Sequence, residues 1–192
     1  HQQAALGPPG HRGNGLEVGR CQGRHRSSGG AVDALRALSG RPLALPGMTE
    51  VAFHAGLPDT LGYACRLLRK AWRQRLRLTV TGPPEALRRL DAQLWVFEPG
   101  SFIPHALLGR GQSATTAMEP TPIWLTEEPG SAPPAQVLVN LGTPLLPAFS
   151  RFERVVELVG ADPEDAAQGR LRWRLYLAAG ITPVLHQAPL GA

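Results

Sequence analysis

Leu76-Arg-Leu-Thr-Val-Thr-Gly-Pro-Pro-Glu-Ala-Leu-Arg-Arg-Leu-Asp-Ala-Gln-Leu94 changes period midway. Leu76, Leu78 and Val80 alternate with Arg77 and Thr79, as side chains do when they leave a strand on opposite faces. Gly82-Pro83-Pro84 interrupts the chain, and Ala86, Leu87, Leu90 and Leu94 then recur at the spacing of a helix with one apolar face. The same change occurs upstream. Thr49-Glu-Val-Ala-Phe-His54 reads as a strand and Leu57-Pro-Asp-Thr60 offers Asp59 as an N-cap; Leu61, Ala64, Cys65, Leu68, Ala71 and Trp72 follow at helical spacing. Strand, helix, strand, helix is the sequence form of a sheet covered by helices, the α/β class. Arg66, Arg69, Lys70 and Arg73 fall on the far side of the first helix and read as a solvated face.

Further strands are expected at Pro122-Ile-Trp-Leu125, at Val137-Leu-Val-Asn-Leu141 and, after Phe149 and Phe152, at Val155-Val-Glu-Leu-Val159, with residues 109 to 135 otherwise loop-rich. The last helix has sharp limits. Asp162 suits the N-cap, Pro163 the first helical position and Glu164 and Asp165 the first turn, while Gly180 lies just past the end. Arg170 and Arg174, four residues apart with Trp173 beside them, can bring two guanidiniums and an indole to one face. A chain end carrying aspartates, a terminal aromatic ring and a free carboxylate would satisfy such a face. The competing reading is a helix whose arginines are merely solvated while Trp173 packs inward.

A chain of 192 residues with 43% hydrophobic content suffices for one domain with an ample core. Residues 1–47 hold Arg12, Arg20, Arg24, Arg26, Arg36 and Arg41 against Glu17 and Asp33, so +4 of the net +5 lies there and the remainder is nearly neutral. That segment is rich in Gly, Arg and Ser, with no apolar periodicity before Ala31 to Leu38. It is expected to be a disordered extension, from upstream translation or a cloning remnant rather than an organellar transit peptide, with Met48 opening a domain over 48–192. No run approaches the roughly 20 apolar residues of a membrane span. Cys21 and Cys65 form neither a disulfide framework nor a metal knuckle.

Neither GxGxxG nor GxxxxGK[ST] is present, so Thr79-Val-Thr-Gly82 reads as an ordinary strand end without a phosphate-binding loop. HExxH, CxxC pairs and glycine-flanked serine elbows are missing too, and His54, His105 and His186 are scattered. No cofactor or catalytic constellation can be named. A nucleotide-dependent or nuclease-type α/β enzyme remains one alternative, and a weak direct nucleic-acid-binding domain another.

Arg89-Leu-Asp-Ala-Gln-Leu-Trp95, followed by Phe97, Pro99 and Ser101-Phe-Ile-Pro-His105, places many distinctive residues in one window. Trp95 and Phe102 neighbour Pro99 and Pro104, which suits exposed aromatic anchors on a proline-stiffened loop. A lone histidine after proline, His105 reads as a packing residue. This pattern resembles that of the chi subunit of bacterial DNA polymerase III, a helix ending RLDxxLW, a proline turn and SF[IV]PH leading into a strandless loop, over residues 48 to 192. The resemblance implies a single three-layer, Rossmann-like α/β domain with a mostly parallel sheet. It also implies a cytoplasmic, non-catalytic accessory subunit of the clamp-loader complex, working at replication forks in the nucleoid and meeting DNA mainly indirectly.

Two sites are implied with it. Trp95, Pro99 and Phe102 would hold the psi subunit or an alternative helicase partner. Val159, Arg170, Trp173 and Arg174 would bind the acidic C-terminal tail of single-stranded-DNA-binding protein. The family often carries a further basic residue where this chain has Ala166, so either weaker tail affinity or replacement of that charge by Arg172 is expected.

Overall fold

The computed structural model describes residues 49–100, 102–115, 120–144 and 147–187. The extension read at 1–47, the start at Met48, and Ser101 lie outside these residues. Strand β1 is Glu50–Leu57 and helix α1 is Thr60–Arg73, capped by Asp59, whose Oδ1 accepts the Gly62 N–H at 2.9 Å. Ala64, Cys65, Leu68 and Ala71 are buried as their spacing predicts, and Tyr63 and Leu67 widen the stripe. Strand β2, Leu78–Thr81, begins two residues later than the alternation suggested. The Leu76 N–H closes the end of α1 by donating to Ala71 O at 3.1 Å, and the Arg77 N–H is taken by Gln136 Oε1 at 2.9 Å. Leu76 is thereby kept out of the ladder, and Arg77 reaches the neighbouring strand only through its carbonyl, which accepts the N–H groups of Gln136 and Val137 at 3.2 and 3.4 Å.

Helix α2, Pro84–Val96, buries Leu87, Leu90 and Leu94. Strand β3 follows at His105–Leu108, where the sequence reading expected a strandless loop. Pro104 lies just outside this strand, and an edge strand needs a partner on one side only, so the proline obstructs nothing. Its partner is β4, Ile123–Thr126. Strands β5, Val137–Asn140, and β6, Arg154–Gly160, precede helix α3, Pro163–Ala178, and strand β7, Val184–Gln187. The seven strands are ordered β3-β4-β2-β5-β6-β1-β7, and every neighbouring pair is parallel.

Parallel strands carry their connections on the sheet faces, and two cores result. Val156 and Leu158 pack among the residues of α1 and α2; Val155 and Val159, alternating with them along β6, pack with Tyr176 of α3 on the other face. The described residues thus form a single three-layer α/β domain. Arg69 and Arg73 of the basic helix face meet Glu98 at 3.0 and 3.6 Å, tying α1 to the turn after α2. No helix among the described residues is long and apolar enough to cross a membrane.

Candidate functional site

Helix α3 is fixed at both ends and in the middle. Asp162 Oδ1 accepts the N–H groups of Glu164 and Asp165 at 2.9 and 3.1 Å, and Asp165 Oδ2 accepts that of Gly160 at 2.8 Å. At the far end Gly180, at φ 80°, turns the chain so that the Ile181 N–H closes on Tyr176 O at 3.0 Å. Between them Gly169 rests on β6, where a Cβ would stand 2.9 Å from both methyl groups of Val159. Any side chain there would lift the helix off the sheet.

The rotation of α3 is set by a buried charge. Glu157 is 0% exposed. It receives Arg172 Nε at 2.8 Å, the Tyr176 hydroxyl at 2.8 Å and Asn140 Nδ2 at 3.0 Å. Burial pushes the Glu157 carboxyl upward, against the pull of the guanidinium and the three donors, and burial beside that carboxylate also raises the Tyr176 phenol. Arg172, 3% exposed, therefore cannot replace the charge missing at Ala166. Two residues advance a helix by about 200°, which places Arg172 opposite Arg170 and Arg174.

With Arg172 inward, Arg170 and Arg174 are exposed, and neither pairs with a carboxylate among the described residues. Trp173 is half-buried, its ring 5.0 Å from that of Phe53 on β1. Leu185 of β7 is in register with Phe53, so both leave the sheet on the α3 side, and Leu185 is 50% exposed. Val159, buried beneath Gly169, belongs to the floor under this face. Phe53 and Leu185 escape a reading of the sequence as site residues because only tertiary strand pairing brings them to Trp173.

The second cluster lies at the opposite edge of the sheet. Trp95 occupies the last turn of α2 and Phe102 the segment entering β3; their rings are 5.2 Å apart, and they are 58% and 53% exposed. Pro99 is exposed in the intervening turn, which Gly100 completes at φ 77°. His105 braces the pair from below, with ring centroids 5.2 Å from Trp95 and 6.4 Å from Phe102. Its Nδ1 contacts Ile103 O at 2.7 Å, and its Nε2 lies 3.3 Å from Asp91 Oδ1 without hydrogen-bond alignment. Because α2 and the segment entering β3 share the core through Leu94 and Ile103, the aromatic pair has a rigid base.

Residues 48–184 match the family model described as DNA polymerase III chi subunit, HolC. The DNA polymerase III subunit chi of Pseudomonas aeruginosa is 36% identical over 149 residues, 74% of this chain and 99% of that protein. The subunit chi of Escherichia coli is 27% identical, covering 66% of this chain and 84% of its own length. That of Haemophilus influenzae is 28% identical, covering 58% and 75%.

Proposed function

The chain belongs to the family of DNA polymerase III chi subunits, and from that premise we propose that it is a non-catalytic adaptor linking the clamp-loader assembly to single-stranded-DNA-binding protein. The face of Arg170, Trp173 and Arg174 grips the acidic C-terminal tail of the binding protein. The ring of the tail's last residue lies on the shelf of Trp173 and Leu185, which the buried Phe53 supports from beneath, and its carboxylates pair with the two guanidiniums. Trp95, Pro99 and Phe102 hold the psi subunit or a helicase at the other edge. The observation that carries this reading is the pair of exposed arginines, unpaired with any carboxylate among the described residues, beside a half-buried indole seated on Phe53. With Ala166 in place of a basic residue, the tail is held by two cations and binds weakly.

The test is titration with a fluorescent peptide of aspartates ending in an aromatic residue with a free carboxylate. Arg174→Glu is expected to lower affinity by more than tenfold without changing the thermal midpoint, as removal of a charge-assisted bond plus a new repulsion requires. Amidating the peptide terminus is expected to weaken binding to the unsubstituted chain in the same direction. Equal affinity for Arg174→Glu and the parent would remove the tail from this face.

A further inference from the structure

A cleft of about 550 Å³ opens at the amino ends of β2, β4 and the edge strand β3, lined by Trp72, Arg75, Arg77, Pro104, Pro120 and Pro122, with Thr121. It is distinct from the face of α3, adjoins the aromatic cluster only through Pro104, and falls in the size range of ligand sites. Its mouth carries a conformational anomaly. Arg75 has φ 60°, the sole positive value at a non-glycine among the described residues. The backbone there closes α1: the Arg75 N–H donates to Trp72 O at 2.8 Å and the Leu76 N–H to Ala71 O at 3.1 Å. This closure ordinarily takes glycine at the position of Arg75, and a Cβ there carries a conformational cost. That cost keeps an exposed guanidinium beside a half-buried indole and a rim of prolines, and Arg75 pairs with no carboxylate among the described residues.

We propose that this cleft binds single-stranded nucleic acid, a phosphate on Arg75 and a base against Trp72 and the neighbouring prolines. A fixed aromatic platform next to a cation is the common arrangement for sequence-tolerant binding of unpaired bases. An acidic peptide fits less well. An extended peptide gains most from a free strand edge, whereas β2 and β4 are each paired on both sides and Pro104, at the entrance to edge strand β3, has no N–H to offer, leaving a flat face and a charge as the available contacts. The near-neutral domain keeps such binding weak and sensitive to salt.

Fluorescence anisotropy of a short labelled oligothymidylate with the full chain at low salt supplies the test. Arg75→Gly removes the guanidinium and relaxes the backbone, so it is expected to keep or raise the thermal midpoint. Its affinity for the oligonucleotide is expected to fall roughly tenfold, the loss of one charge-assisted bond, with the salt slope shallower by about one phosphate contact. Trp72→Leu should weaken binding with the slope unchanged, and neither variant should alter binding of the aromatic-ended tail peptide. The basic residues at 1–47 are common to all variants, so their contribution cancels in the comparison. The proposal is overturned if oligothymidylate does not bind, or binds Arg75→Gly with the parent affinity and slope. An acidic peptide binding through Arg75 where the oligonucleotide does not would likewise overturn it in favour of a protein occupant.

Discussion

Arg170, Arg172 and Arg174 have identical side chains two positions apart, and helix geometry gives the middle one a different task. A side chain about 200° away from its neighbours must enter the sheet if they face water, and a guanidinium can do so only with a carboxylate waiting. Glu157 supplies it. Removing one member strands the other without a counter-charge, so Arg172→Met is expected to cost about 3–5 kcal/mol in urea unfolding at neutral pH, whereas Arg172→Met with Glu157→Leu should recover most of that loss. A penalty of about 1 kcal/mol or less for Arg172→Met would mean that other contacts orient α3. The expectation that Arg172 could stand in for the charge missing at Ala166 thus fails on helical spacing: a residue two positions from Arg170 and Arg174 cannot share their face.

At the scale of elements, β1, α1 and β7 meet around His54, which is 2% exposed, accepts or donates at 3.0 Å with the Tyr63 hydroxyl, and lies 5.2 Å from the His186 ring. Burial, and then the proximity of His186, lowers its pKa to about 4. The unfolded chain, with the ordinary value of 6.5, takes up the proton first. Stability is therefore full above pH 6.5 and is lost as pH falls toward 4, by about 2 kcal/mol at pH 5. Urea midpoints at pH 7 and pH 5 measure this, and His54→Gln should flatten the difference; an undiminished pH slope in that variant would assign it elsewhere. The elements themselves were unequally legible. Helices α1, α2 and α3 announce themselves by different signals: α1 by its apolar period and the Asp59 cap, α2 by period after Pro83-Pro84, and α3 by Asp162 and Pro163 at its start and Gly180 past its end. Strands β3 and β7 do not, for they are four-residue edge strands whose side chains are largely in contact with solvent on β7 and preceded by proline on β3, so neither alternation nor burial marks them. The same division runs through the candidate site: Arg170, Trp173 and Arg174 are readable from helical spacing, while Phe53 and Leu185 depend on the β1–β7 pairing and have no local signal.

For the whole molecule, strand order decides how far apart the two proposed contacts lie. Phe102 leads into β3 and Leu185 belongs to β7, the first and last strands of the sheet, so the sites are separated by roughly 29 Å at about 4.8 Å per strand. Groups that far apart without shared partners are energetically independent. In binary assays Arg174→Glu should therefore weaken the acidic tail alone and Phe102→Ala the clamp-loader partner alone, with the double variant matching each single loss to within about 0.5 kcal/mol. Bridging is different, because the second contact forms within an already tethered complex at high effective concentration. When single-stranded DNA coated with its binding protein is used to retain the partner through this chain, either single substitution should abolish retention almost as fully as both together. A loss of tail affinity on Phe102→Ala would show instead that the sheet couples its two edges, and the chain would then be a switch between partners where a rigid spacer is proposed.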